Sequence, residues 1–195
     1  PGEYLLPDQG AGIARKFAPY YREFSVTGME PLLPTSFPFL LATLDAAVQS
    51  GYRDRVIITN GDYLAETAEE LVRPGRVTTL AVSLDGPQAM HDASRGRESF
   101  KRIANGFRTA GSVAESSRLK LLRFTNTTIT RANIGYLAET VRASRGIGAD
   151  FAAFHPVELV ETNPTAIRNL PALLAVRDEL VSSLLELIDK FRRGE

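Results

Sequence analysis

Short apolar runs alternate along this chain with longer segments whose apolar residues recur at helical spacing. The run at 55–59 is continuous, as expected of a strand that is covered on both faces. Segments between the runs place apolar residues three and four positions apart, as one face of a helix requires. The runs predict strands at 24–27, 55–59, 77–84, 119–125 and 151–154. The spacing predicts helices at 38–50, 63–72 and 99–110, and a further helix capped by Asn133.

Strands and helices in this alternating order predict an α/β fold with a parallel sheet and right-handed crossovers. About five strand–helix units are expected. Periodicity alone leaves two architectures open, an open doubly wound sheet and a partial (βα) barrel. In both of them, ligands bind at the carboxyl ends of the strands.

The chain divides into three parts according to how well the pattern holds. Residues 1–23 contain scattered glycine and proline and are expected to be irregular, with a short helix near 14–22. Residues 24–160 carry the strand–helix units, interrupted by an irregular segment at 88–97 and a mobile loop at 112–118. Residues 161–195 are a C-terminal helical segment. Its apolar stripe needs a partner surface, either the sheet domain or a missing protein partner.

Composition and charge narrow the class of partner. Lysine plus arginine and aspartate plus glutamate number 23 each in 195 residues, so no net charge attracts nucleic acid or an anionic membrane. A small molecule or another protein is the expected partner. No apolar run approaches the roughly 20 residues that span a bilayer, and the first residues lack the layout of a signal peptide. The expected location is therefore cytoplasmic.

Cysteine is absent from the chain, and histidine occurs twice. These residues therefore provide no disulfide, no thiolate nucleophile and no thiolate ligand for zinc or an iron–sulfur cluster. Two histidines, His91 and His155, are too few for a typical histidine-built metal site. We accordingly expect no metal site within these residues.

Polar side chains occur at the carboxyl end of each predicted strand. Because such ends meet at one rim of a parallel sheet, we expect these side chains to lie close together. Carboxylate, amide and hydroxyl groups on one rim suit a zwitterionic or ribose-bearing ligand. Each residue also fits an ordinary role in a turn or at a strand end, and only the repetition favours a site. The candidates are Glu30, Thr59, Asn60, Ser83, Asp85, Asn126, Thr127 and His155.

The sequence of these strand ends resembles that of a radical SAM core domain. The resemblance covers about 24–157, and its most specific part is a Ser-Leu-Asp-Gly-Pro element at 83–87 with His91 and Arg95 after it. The other elements are Thr-Gly-Met-Glu-Pro-Leu-Leu at 27–33, Thr-Asn-Gly at 59–61, Asn-Thr at 126–127 and Phe-His-Pro at 154–156.

The resemblance implies a partial (βα) barrel that binds S-adenosylmethionine beside a 4Fe-4S cluster and generates a radical from it. The first strand of the family barrel would be missing here. The residues that would meet the methionine amino group are Gly28, Met29, Glu30 and Pro31. Those near the ribose or carboxylate would be Ser83 and Asp85, and those lining the rest of the pocket Asn60, Asn126 and His155. The resemblance assigns no catalytic residue.

This sequence departs from the family pattern in two respects. Met29 stands where the family has a second glycine, which places a side chain where the backbone normally approaches the ligand. The CxxxCxxC loop that holds the cluster is absent from these residues, so the cluster is expected only in a complete parent enzyme. We expect weak S-adenosylmethionine binding and no catalysis by this chain.

Three hypotheses for function are open at this point. The first is an N-terminally incomplete fragment of a radical SAM oxidoreductase or transferase. The second is a degenerate member without a cluster, acting as a binding or partner module that docks through its C-terminal helix. The third is an unrelated α/β enzyme that uses Glu30 or Asp85 as a general base.

Overall fold

Five strands and seven α-helices occur in residues 6–156 and 177–193, which the computed structural model describes. The strands are β1 (Glu23–Val26), β2 (Asp54–Thr59), β3 (Thr79–Ser83), β4 (Leu122–Ile129) and β5 (Phe151–Pro156). The helices are α1 (Pro7–Phe17), α2 (Phe37–Gln49), α3 (Leu64–Val72), α4 (Gln88–Arg95), α5 (Ser99–Ser116), α6 (Leu137–Gly146) and α7 (Arg177–Arg193). A 3₁₀ turn, Ile134–Tyr136, precedes α6.

The strands form one parallel sheet in the order β1-β2-β3-β4-β5. Each strand therefore pairs with its neighbours in the chain, and every connection contains at least one helix. Within the described residues β1 and β5 form the two edges of the sheet. The predicted α/β fold with a parallel sheet is confirmed.

The main core lies between the sheet and its helices. Alternate residues of β2 and β3 point to this side, among them Ile57, Leu80 and Val82, which are fully buried. The close approach of α5 to α3 depends on Gly106, where an added Cβ would lie 2.8 Å from the Cβ of Leu64. This packing decides which face of each strand the helices cover. The opposite face carries apolar residues such as Ala81 and Phe124 and, nearer the carboxyl ends of the strands, polar residues.

Within the described part of the N-terminal segment, Pro7–Phe17 form a helix, so the prediction of a loop followed by a short helix near 14–22 is wrong there. Pro7 begins α1, where its missing N–H costs nothing. Gly10, which suggested a loop, faces α2, and an added Cβ there would overlap the Thr43 hydroxyl and lie 2.5 Å from the Phe39 ring. The small residues Gly10, Ala11 and Ala14 therefore form the face of α1 that packs against α2, and they do not end the helix.

Two further stretches are helical where irregular chain was expected. α4 occupies most of 88–97, and its His91 is fully buried. α5 continues through most of 112–118, so the predicted mobile loop is wrong. Gly111 does not end this helix, because it lies inside α5 against the Arg123 guanidinium, which uses the space that a side chain would fill.

β4 begins and ends later than predicted. It covers Leu122–Ile129 and not 119–125, so Asn126 lies inside the strand. β5 likewise continues to Pro156, which places His155 inside that strand. The directions of both side chains are therefore set by strand alternation.

α7 packs beside the end of the sheet domain. Its Leu184 is partly buried against Ile134 and Leu137 of the 3₁₀ turn and α6. The part of the predicted C-terminal helical segment at 161–176 lies outside the described residues. In the described part of the chain, no helix combines the length and the apolar content that crossing a membrane requires.

Candidate functional site

The face of the sheet opposite the core helices bears polar residues near the strand ends. Thr125 of β4 hydrogen-bonds to α6, so its neighbour Asn126 faces the opposite way. Ser83 pairs with Asn126 in the strand register. Thr128, two residues further along β4, pairs with His155. Three of the predicted site residues therefore share this face.

Glu30 joins the loop after β1 to the end of β2. Its Oε1 accepts hydrogen bonds from the Thr59 hydroxyl at 2.6 Å and from the Leu32 N–H at 3.0 Å. Its Oε2 accepts from the Asn60 N–H at 2.7 Å, and the residue is only 9% exposed. The carboxylate that was expected to meet the ligand is thus largely occupied by the protein, and it acts as a strut for the loop.

The strut leaves the Gly28–Pro31 loop bordering a cavity of about 300 Å³. Gly28 has φ of +91°, in the left-handed region, and an added Cβ there would meet nothing within 4 Å. Met29 is 85% exposed, so its side chain extends into solvent. All four loop residues predicted for the site line this cavity, and the loop backbone is open to it.

The Asp85 carboxylate, in the turn after β3, is held by α4. Nε and Nη2 of Arg95 donate to its two oxygens at 2.7 and 3.1 Å, and the Ser94 hydroxyl donates at 3.0 Å. Burial alone would raise the pKa of Asp85, but the hydrogen bonds and charge of Arg95 hold this pKa below its usual value. A carboxylate kept ionised by a guanidinium is a poor general base.

Two buried side chains hold the backbone of Asp85. Its N–H donates to Nδ1 of His91 at 3.2 Å, and its carbonyl accepts from Nδ2 of Asn133 at 3.0 Å. Asn133 also donates to the Thr128 carbonyl at 2.9 Å and accepts from the Thr130 N–H at 2.8 Å. Asn133 therefore ties the turn after β3 to the end of β4, and it forms no side-chain cap of the kind predicted.

His91 supports the same turn from inside the protein. Its Nε2 lies 3.2 Å from the Ser99 hydroxyl oxygen. Burial lowers the pKa of His91, and the nearby charge of Asp85 opposes this effect only in part. The imidazole is therefore neutral near pH 7 and accepts from the Asp85 N–H. In the sequence, His91 was noted only as one of two histidines and as a residue that follows the Ser-Leu-Asp-Gly-Pro element, and neither observation predicted this role.

A second cavity, of about 290 Å³, lies between the ends of β2 and β3. Asn60 and Asp85, both predicted site residues, line it together with Asp62 and Arg95. Oδ1 of Asn60 accepts from the Asp62 N–H at 2.8 Å, and the Asp62 carboxylate pairs with Arg102 of α5 at 2.7 Å. The walls of this cavity are therefore polar groups in fixed positions.

The remaining predicted residues, Ser83, Asn126 and His155, line neither cavity. They lie on the open sheet face. Nε2 of His155 lies 3.2 Å from the Thr128 hydroxyl oxygen, and its buried Nδ1 has no hydrogen-bond partner among the described residues. Thr127 is buried, and its hydroxyl donates to the Leu84 carbonyl at 2.7 Å. The structure thus brings Glu30 into direct contact with Thr59 and Asn60 and places Asn60 and Asp85 on one cavity, whereas Ser83, Asn126, Thr127 and His155 line neither cavity.

Comparison with known proteins identifies the family. A family model described as "Radical SAM superfamily" matches residues 1–119. This chain belongs to the radical SAM superfamily. GTP 3′,8-cyclase of Caulobacter vibrioides is 27% identical over 164 residues, which are 83% of this chain and 45% of that enzyme. GTP 3′,8-cyclase 1 of Mycobacterium tuberculosis is 33% identical over 129 residues, which are 64% of this chain and 34% of that enzyme.

This radical SAM chain spans less than half the length of the relatives it matches. The structure of native anSMEcpe with bound AdoMet is similar to it with a TM-score of 0.65 and 13% identity, over 98% of this chain and 54% of that chain. At this identity the likeness concerns the fold. The predicted partial (βα) barrel is confirmed, and the hypothesis of an unrelated α/β enzyme is wrong.

The residues of this chain fit S-adenosylmethionine and do not fit the cluster. The open loop at Gly28 and the polar cavity at Asn60 and Asp85 offer backbone and side-chain groups to a zwitterionic, ribose-bearing molecule. A 4Fe-4S cluster needs thiolates, which the sequence lacks. In the part of the chain that the structure describes, histidine, aspartate and glutamate form no group of three able to hold a metal ion.

Proposed function

We propose that these residues form the S-adenosylmethionine-binding strand ends of a radical SAM enzyme core. The Glu30 strut carries the proposal, because its hydrogen bonds to Thr59 and Asn60 hold the Gly28 loop beside the end of β2, on the polar rim that the strand ends form. Backbone carbonyls of the loop suit the methionine ammonium group. Asn60 and Asp85 suit ribose hydroxyl groups. Family membership supports the assignment.

This polypeptide alone does not cleave S-adenosylmethionine in our proposal. In the family, the cluster supplies the electron for that cleavage, and this chain has no thiolate to bind a cluster. Its own residues act by binding and orienting the cofactor. The oxidoreductase or transferase chemistry of the parent enzyme would then depend on cluster ligands outside these 195 residues.

Isothermal titration calorimetry with S-adenosylmethionine tests the binding. We expect saturable but weak binding, with a Kd of about 0.1–1 mM, since the contact that the cluster makes is missing. Asn60→Ala keeps the backbone N–H that Glu30 holds and should weaken binding about tenfold. Asn105→Ala, an exposed asparagine on α5, is the matched control. Equal affinity in the two variants, or no saturation up to about 10 mM, contradicts the proposal.

Product analysis tests the proposed lack of cleavage. The protein is incubated anaerobically with iron, sulfide, dithionite and S-adenosylmethionine, and 5′-deoxyadenosine is measured by chromatography. We expect no product above a protein-free control. Product that increases in proportion to protein concentration would show that the chain is competent without thiolates.

A cluster-free binding or partner module is the second candidate, and the absence of cysteine favours it. This candidate has the same polar rim as the first, and the two differ in whether the complete gene encodes a cluster-binding loop. A CxxxCxxC loop encoded in frame before Pro1 supports the fragment. A native protein without such a loop supports the module, for which α7 would be the docking surface. The cytoplasmic location stays a prediction, which cell fractionation can test.

A further inference from the structure

A third cavity lies at the other end of the sheet from the polar rim. Its volume is about 300 Å³, and it is bordered by the last turns of α5, the start of β4 and the turn between α6 and β5. The charged and hydroxyl side chains on its wall are Arg108, Ser112, Glu115 and Arg123. None of them belongs to the rim, so the proposed function leaves this cavity unassigned.

Arg123 borders this cavity, and among the described residues its guanidinium has one hydrogen-bond acceptor. Its Nη1 donates to the Phe107 carbonyl at 3.0 Å, but its Nε is buried and has no acceptor among the described residues. A guanidinium carries five N–H donors, and buried donors are normally paired. Gly111 provides room for this group, since a side chain there would overlap Nη1. The described residues thus accommodate a guanidinium that they do not saturate.

Arg55 occupies the corresponding position in another strand–helix unit, and there the guanidinium donors have hydrogen-bond acceptors. Arg55 and Arg123 are each the second residue of their strands, β2 and β4. Nε of Arg55 donates to the Arg76 carbonyl at 3.0 Å, its Nη2 to the Gly75 carbonyl at 3.1 Å, and its Nη1 to the Tyr52 carbonyl. Nη1 of Arg55 also donates to the Arg53 carbonyl at 3.4 Å, so Arg55 has four carbonyl acceptors, whereas Arg123 has one among the described residues. Arg123 instead borders the cavity.

The charges on the wall select the kind of ligand. Arg108 brings a second guanidinium and forms no ion pair within the described ranges, whereas Glu115 is the one carboxylate among these wall residues. The carbonyls at the end of α6 already accept hydrogen bonds from the backbone of 147–149. We propose that this cavity binds a small oxyanion, inorganic phosphate or a phosphomonoester, between Arg108 and Arg123.

Calorimetric titration of inorganic phosphate into the 195-residue protein, at constant ionic strength, tests this site. Saturable binding is expected. Arg108→Gln should weaken it about tenfold, and its exposed position preserves the fold. Glu115→Gln should strengthen it several-fold, because it removes the opposing charge. Arg131→Gln, an exposed arginine just beyond the other end of β4, is the matched control and should change nothing.

Three results would overturn the assignment. One is the absence of saturable phosphate binding up to about 10 mM. Another is equal weakening by Arg108→Gln and Arg131→Gln, which would indicate screening of surface charge and no defined site. The third is tighter binding of acetate than of phosphate, which would show that the cavity prefers carboxylates to phosphates.

Discussion

Replacement of Glu30 by glutamine separates a structural role of this side chain from a role in contacting the ligand. Glutamine keeps the shape, but one carboxylate oxygen becomes an NH₂ group, which cannot accept a hydrogen bond. In the parent protein the Asn60 N–H donates to Oε2 of Glu30 at 2.7 Å. If the glutamine oxygen faces Thr59 and Leu32, the glutamine NH₂ group faces this N–H. Two donors then face each other beside a nearly buried side chain.

The expected loss of unfolding free energy is about 2 kcal/mol. A buried donor without an acceptor costs roughly 1–3 kcal/mol, and the two remaining hydrogen bonds lose the contribution of the negative charge. Asn60 is half-buried, so water replaces part of the lost acceptor and keeps the cost below the sum of these effects. For a domain of this size, the change corresponds to a fall in Tm of roughly 4–8 °C.

Urea unfolding and amide hydrogen exchange measure this change. Glu30→Gln should lower the unfolding midpoint and speed exchange at the Asn60 amide. Glu23→Gln makes the same substitution at an exposed glutamate on β1 and should stay within about 0.5 kcal/mol of the parent protein. If Glu30→Gln is as stable as the parent, keeps the slow Asn60 amide and still loses S-adenosylmethionine binding, then Glu30 contacts the ligand and the strut interpretation is wrong.

Three other perturbations test the packing and the networks of the site. In urea unfolding, Gly10→Ala should cost about 1–3 kcal/mol because its Cβ would overlap α2, whereas Gly12→Ala, with nothing within 4 Å, should be neutral or stabilising. Asn133→Ala should cost about 1–3 kcal/mol, since it leaves half-buried backbone groups of Asp85 and Thr130 without their partner. Stability should fall below about pH 6.5, because the depressed folded-state pKa of His91 lets the unfolded chain bind more protons, and the depressed pKa of Asp85 adds a further fall below about pH 4. A constant urea midpoint between about pH 7.5 and pH 5 would contradict the His91 assignment, and His91→Gln should remove only that first fall.

The order of strands and helices was predictable from local patterns, and the exceptions depend on contacts between distant elements. β2 and α3 were predicted within one residue, since apolar residues and turn residues mark their ends. α1 was missed because the value of Gly10 lies in its contact with α2, which no window of sequence shows. α5 was cut short for a similar reason. Gly111 lies inside α5, and its lack of a side chain leaves room for the Arg123 guanidinium from the next strand.

The position of the rim was predictable, and the internal contacts of its residues were not. Parallel topology puts Glu30 and Asn60 at the same edge, as expected from their places after successive strands. The direction of the Glu30 carboxylate, into the protein, depends on two backbone N–H groups that only the folded loop presents. The bridge that Asn133 makes between Asp85 and Thr128 depends likewise on how two loops meet.

Two networks that hold the rim meet at the end of β2. Glu30 binds the Asn60 backbone from one side, and Asp62, which is paired with Arg102, binds the Asn60 side chain from the other. Asp85 is fixed independently through Arg95, His91 and Asn133. A ligand in this site therefore meets groups that need little reorganisation, which reduces the entropic cost of binding. If the proposed site is right, binding and cleavage of S-adenosylmethionine should separate in this chain, because the proposed binding residues are present and the thiolates that cleavage needs are absent from it.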